Sequence, residues 1–228
     1  GYTRAQYFLR SLGESPARAH WRTIAQVERH TALALLNRDL REHVSNYDPF
    51  FEFEEIYNRP EVSDPLYRAQ YTDFHTFLPE KILSKVDRAS MAVSLETRVP
   101  YLDKDLVELA FQVPPELKVN HGKTKVMLKQ IAARHVPPSC VYRQKEGFSI
   151  PIKNWLGTQF RPLLEDLLDA NRLRQAGIFD APTVETLKKE HLAGAANHSH
   201  LLWGLIVFEA WRDQWLRTPG KSAFKAAS

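Results

Sequence analysis

The 228-residue chain is 43% hydrophobic, 25% charged and 11% aromatic, a globular composition that excludes a disordered or multiply membrane-spanning protein. Its one cysteine, Cys140, excludes an internal disulfide and suits a reducing cytoplasm, where a small buried hydrophobe is its expected role. The net charge of +4 is uneven: residues 81–153 carry +6 and the remainder −2, without a basic tail or nucleic-acid motif.

Nine glycines are few for a nucleotide fold built on tight turns, which points to helix. Residues 18–44 lack Pro and Gly and place Trp21, Ile24, Val27, Leu33, Leu35, Leu36 and Leu40 at helical spacing. A shorter helix is predicted between Pro49 and Pro60, and another from Pro65 toward Phe77. Pro79 opens the next, with Ile82, Leu83, Val86, Ala89 and Val93 as its apolar stripe. Lys81, Lys85 and Arg88 share another face, and the helix is to end before Pro100. Asp103 is placed to cap a helix that stops before Pro114-Pro115. Asn120-His121-Gly122 reads as a turn, followed by a basic amphipathic helix from Lys123 through Ala132. Val141-Tyr142-Arg143 reads as extended and Glu146-Gly147-Phe148 as a turn. Three helices complete the pattern: Trp155 to Leu168, Ala181 to Ala193 and Ser199 to Leu216. The apolar run 201–208 is far too short to cross a bilayer, and no signal peptide pattern is visible.

Several residues can carry chemistry. Lys145 sits in Arg143-Gln144-Lys145-Glu146-Gly147-Phe148, where it can reach a ligand or simply be solvated. Lys85 and Arg88, at i and i+3, can neutralise phosphate oxygens or pair locally with Glu80 and Asp87. Glu96 and Arg98 read as a buried ion pair bracing the Val99-Pro100 turn. Gly122-Lys123-Thr124 ends like a P-loop but fails as one, because Leu117 and Lys118 stand where the upstream glycine would be. His198 and His200 would point apart on a helix start, no Cys/His spacing suits zinc, and no metal site is expected. Asn197 is placed to cap the last helix.

The stretch Leu78-Pro79-Glu80-Lys81-Ile82-Leu83-Ser84-Lys85-Val86-Asp87-Arg88 to Val99-Pro100-Tyr101-Leu102-Asp103 resembles the signature of the synthetase half of asparagine synthetases. The family has Phe where this chain has Tyr101. The likeness is strongest from about Asp73 to Pro151 and looser through Asn154-Trp155-Leu156, Gly177-Ile178-Phe179-Asp180 and Asn197 to Trp211. Gly1-Tyr2-Thr3-Arg4 is similar to the end of the family's acidic glycine-rich motif.

The resemblance implies a mainly α chain, the helical C-terminal portion of an α/β adenine-nucleotide α-hydrolase-like (ATP pyrophosphatase) synthetase domain. That portion would span 1–217, with a polar tail at 218–228. It implies Lys145 as the residue acting on the acyl-adenylate, with Lys85, Arg88 and Lys123 near the nucleotide phosphates. ATP and Mg2+ are the implied cofactors, and aspartate the carboxylate to be amidated. The family's Ser-Gly-Gly-x-Asp-Ser nucleotide loop and its N-terminal cysteine nucleophile are not among these residues. The expected partners are therefore a glutaminase domain and the nucleotide-loop half of the same polypeptide, in a homodimeric parent, with no nucleic acid or membrane. The isolated residues are expected to be inactive. Relatives on this scaffold amidate other substrates, forming β-lactams, closing peptide rings or modifying surface sugars. A non-catalytic helical module that binds nucleic acid through the +6 segment is the reading of another class.

Overall fold

The computed structural model describes residues 13–144 and 150–216. These are mainly α, and one two-stranded hairpin is the only sheet among them. Lys145, the Glu146-Gly147-Phe148 turn, Gly1-Tyr2-Thr3-Arg4 and the tail beyond Leu216 lie outside the described residues. The chain divides into two compact units.

One unit comprises residues 25–48 and 150–216. Its core holds Leu35, Ile152, Leu156, Leu164, Leu168, Leu173, Val184, Leu202 and Ile206, all nearly or fully buried. The helix expected across 18–44 is instead three: Pro16–Ile24, Arg29–Leu35 and Arg38–Val44. The last break has a clear cause. At residues 35–37 the backbone turns its hydrogen bonds outward, with Asn37 N–H donating to the Ile178 carbonyl at 2.9 Å and Asp180 N–H to that of Leu35 at 2.8 Å. Asn37 then caps the Arg38–Val44 helix by accepting from Leu40 N–H at 2.8 Å. The facing segment, residues 178–180, follows a helix, Ala170–Ala176, that the sequence pattern does not predict. Gly177 ends it in the left-handed region (φ 66°), which a glycine enters without steric cost.

The predicted Trp155–Leu168 helix is also divided, into Ile152–Trp155 and Arg161–Leu167. The turn between them brings Trp155 edge-on to Phe160 at 5.5 Å, and Phe160 stacks on Trp203. Ring packing outweighs one more turn of helix. The Ala181–Leu192 and Ser199–Trp215 helices match the expectation closely. Asp180 caps the first by accepting from Thr183 N–H, and Ser199 N–H donates to Asn197 Oδ1. The burial expected of the last helix is confined to one side, for Val207, Trp211 and Trp215 are exposed. His198 pairs with Glu190 at 2.6 Å.

Two titrating features in this unit predict its pH response. Burial pushes the His191 imidazole below its ordinary 6.5, only partly opposed by the Lys153 carbonyl. Asp180 is held below its ordinary 3.8, first by the Thr183 hydroxyl and then by the Thr183 amide. For a lowered histidine the unfolded chain binds the proton more readily. Its contribution is therefore whole above about 6.5 and lost as pH falls below it. The Asp180 contribution is lost only below about 3.8. The urea midpoint is expected to fall between pH 7.5 and 5.5, and that first fall to flatten in His191→Gln. A wild-type midpoint constant over this interval contradicts the assignment.

The other unit comprises described residues 13–24 and 49–144. Its core is small: Ala17, Phe50, Phe53 and Tyr57, with Trp21, Ile24 and Ala69 packed against it. The Phe50–Asn58 and Pro65–His75 helices stand where predicted, the second capped by Asp64. Between residues 84 and 144 the one buried hydrophobic residue is Val113. Leu95, Tyr101 and Leu109 are more than half exposed, so this stretch presents an apolar surface larger than scattered single residues would make.

Candidate functional site

The signature begins as a π-helical turn, Leu78–Leu83, and continues as an α-helix over Ser84–Met91. The wider turn shifts Lys81 out of register with Lys85 and Arg88, and its ammonium lies 5.1 Å from the Phe77 ring centre. The helix stops well short of Pro100. Ser94 adopts φ 59°, and Leu95 N–H folds back to the Ser90 carbonyl at 3.0 Å. Val93, expected on the apolar stripe, is thereby left exposed.

Lys85 and Arg88 are both exposed on the helix. The local pairs with Glu80 and Asp87 are not formed. Among the described residues neither cation has an ion-pair partner within 4.0 Å. Glu96 and Arg98 do pair, at 2.5 Å, but with side chains 69% and 87% exposed. The buried brace expected there is a surface contact, because no apolar layer covers this turn. Asp103 is a cap, accepting from Asp105 and Leu106 N–H.

Lys123 lies in a two-residue hairpin that pairs Val119 with Thr124 and Asn120 with Lys123. His121 and Gly122 form the turn, both with positive φ (47° and 75°), the twist that a two-residue hairpin requires. The basic helix starts only at Val126, so Lys123 and Lys125 stand before it rather than on it. Hairpin and helix enclose a cleft of about 510 Å³ lined by Asn120, His121, Lys123, Thr124, Lys129, Gln130 and Tyr142. No Asp or Glu lines it among the described residues. The structure brings His121 and Lys129 to Lys123, whereas Lys85 and Arg88 are not among the residues of this cleft.

Tyr142 follows a helical turn, Pro138–Val141, where an extended piece was expected. Pro138 sits in the first turn and Tyr142 N–H closes onto its carbonyl at 2.9 Å. Cys140, on this turn, is exposed and not the buried hydrophobe expected of it, since nothing apolar packs over so short a segment.

The cleft's donors suit an anion with several oxygens: two ammonium groups, an imidazole, two amides and a phenol. They do not suit a divalent cation. No group of three or more His, Cys, Asp or Glu side chains is placed to hold a metal among the described residues. The cleft itself offers Mg2+ no carboxylate ligand among the described residues. No helix among them is long and apolar enough to cross a membrane.

A family model described as asparagine synthase matches residues 2–213. The glutamine-hydrolysing asparagine synthetase 1 of Bacillus subtilis is 29% identical over 174 residues, 75% of this chain and 27% of that protein. A provisionally named glutamine-hydrolysing asparagine synthetase of Mycobacterium bovis is 36% identical over 149 residues, 65% of this chain and 22% of its own length. The amidase chry2 of Gibberella zeae is 28% identical over 123 residues, 51% of this chain and 18% of that amidase. The chain thus spans about a quarter of the length of these two synthetases. No solved structure matches it.

Proposed function

This chain belongs to the asparagine synthase family, and on that premise we propose that it is part of an ATP-dependent enzyme that amidates a carboxylate. The reading is a glutamine-hydrolysing synthetase that activates the aspartate side chain by adenylation and lets ammonia displace the adenylate. The observation that carries it is the carboxylate-free cleft around Lys123. ATP, when bound, supplies the leaving group that turns a carboxylate into an electrophile. Lys123, Lys129 and His121 neutralise phosphate oxygens there, and Asn120 and Gln130 offer amide donors. Lys85 and Arg88 extend the positive field along the signature helix, and Lys145 supplies a fixed ammonium where charge develops on the departing group. Mg2+ would enter with the nucleotide, whose phosphates would supply most of its ligands.

The chain's share of its relatives' length, about a quarter, supports a division of labour. The phosphate-holding loop and the glutaminase would come from further residues of the polypeptide. Residues 1–228 alone are expected to release no pyrophosphate from ATP with aspartate. They should nonetheless bind inorganic pyrophosphate through the Lys123 cleft, and Lys123→Ala should weaken that binding about tenfold, as loss of one charge-assisted contact does. Titration calorimetry reads both; unchanged affinity in Lys123→Ala removes the cleft from the proposal.

One finding favours a second reading. The Gibberella zeae relative is named an amidase, so the family likeness extends to proteins not named for asparagine. On this reading the same activation serves a carboxylate other than aspartate. Pyrophosphate release by the natural polypeptide, compared across aspartate and alternative carboxylates, separates the two.

A further inference from the structure

A second pocket, of about 340 Å³, is lined in part by the hairpin residues Val119 and Thr124. Leu66, Val113, Leu117, Met127 and Leu128 supply an apolar lining, and Thr124 belongs to both this pocket and the basic cleft. Its charged wall residues are Lys118 and Lys125, with no Asp or Glu among the described residues lining it. We propose that this pocket binds an amphipathic anion, a medium-chain carboxylate whose hydrocarbon lies on the apolar wall and whose carboxylate meets Lys118.

Three observations converge on that chemistry. First, the pocket is concave and apolar with few polar groups, the pattern of small-molecule sites, and its volume is at the small end of the range of roughly 300–1,000 Å³. A chain of about eight carbons suits it better than a nucleotide.

Second, Lys118 is held rather than loose. Its ammonium donates to Gln70 Oε1 at 2.9 Å and sits 4.2 Å from the Tyr67 ring centre and 5.7 Å from that of Phe111. Tyr67 is itself anchored, its hydroxyl donating to the Val113 carbonyl at 2.7 Å. An ammonium has three N–H donors, and Gln70 takes one. Partial burial pushes this lysine below its ordinary value, only partly offset by the charge of Asp64, so an anion brought to it is poorly screened.

Third, Lys125 occupies the left-handed region at φ 57°, where a non-glycine residue is strained. Lys125 is exposed and supplies a second cation among the residues lining the pocket. A hydrocarbon alone would not need the two lysines, and a multiply charged phosphate would not need the apolar wall. The proposal does not rest on the amidation reading, because neither Lys118 nor Lys125 lines the Lys123 cleft.

The test is calorimetric titration of the natural polypeptide that carries these residues with octanoate, 1-octanol and acetate. Octanoate is expected to bind one site per chain, at least tenfold tighter than either comparison ligand. Lys118→Met keeps an unbranched side chain one atom shorter and removes the charge, and is expected to weaken octanoate at least tenfold while leaving octanol unchanged. Should Lys118→Met fail to fold by circular dichroism, Lys125→Ala, at an exposed position, is expected to weaken octanoate severalfold. Lys85→Met, on the signature helix, is expected to leave it unaffected. Equal affinity for octanoate and octanol, non-saturable uptake, or wild-type octanoate affinity in both lysine variants overturns the proposal.

Discussion

Glu209→Ala is expected to destabilise the unit built on residues 25–48 and 150–216 by about 3–5 kcal/mol, the cost of breaking a buried charge pair by removing one partner. Glu209 is fully buried in the last helix. Arg212 donates to its Oε2 from two nitrogens, at 3.1 and 2.6 Å, and Arg172 approaches to 3.9 Å. Arg172 also pairs with Asp213. Removing Glu209 leaves Arg212 without its anion in an interior where water cannot replace it. The double variant Glu209→Leu/Arg212→Leu removes both charges and keeps apolar volume, so it is expected to recover a large part of the loss. Urea unfolding followed by circular dichroism measures both. A loss below about 1 kcal/mol in Glu209→Ala would mark the pair as no more than a surface contact.

The second large effect is on activity. In the natural polypeptide that carries these residues, Lys145→Ala is expected to lower aspartate-dependent pyrophosphate release by about 10²–10³-fold, the usual cost of removing one transition-state charge stabiliser. Glutamine hydrolysis should stay largely intact, because the proposed role concerns the adenylate and not the thiol chemistry. Lys145→Arg keeps the charge but replaces a compact ammonium with a planar fork, so partial recovery is expected. The measurement is coupled pyrophosphate detection with saturating ATP and aspartate, beside a glutamate assay. Near-normal pyrophosphate release in Lys145→Ala removes Lys145 from the catalytic proposal.

Much of the helix pattern was legible because local rules and the fold agree. Pro65 with Asp64, and Asp103 ahead of Lys104, are short-range signals, and each stands at a helix start. The hairpin turn at His121-Gly122 was legible for the same reason, although its two-residue strands were not. The breaks at Leu36 and within 156–160 were not legible. Each is set by a distant partner: the backbone of residues 178 and 180 in one case and the Trp203 ring in the other. Of the candidate site residues, Lys123 found partners in His121 and Lys129, which share its cleft. His121 could have been suspected from its place in the turn, and Lys129 from the basic helix. Tyr142 could not, because the segment around it was read as extended.

The amino-acid sequence by itself determined the family, the mainly helical character and the ends of the helices at Phe50–Asn58, Pro65–His75, Lys104–Gln112, Ala181–Leu192 and Ser199–Trp215. These depend on residue order, caps and prolines, which act within a few positions. The tertiary structure alone decided that residues 18–44 serve two units. It also set Glu209 and Arg212 as a buried pair on the last helix, and brought Lys123, Lys129 and His121 to one cleft. Those outcomes depend on which surfaces exclude water together. Burial and charge pairing are set by contacts far apart in the chain, which no local spacing encodes.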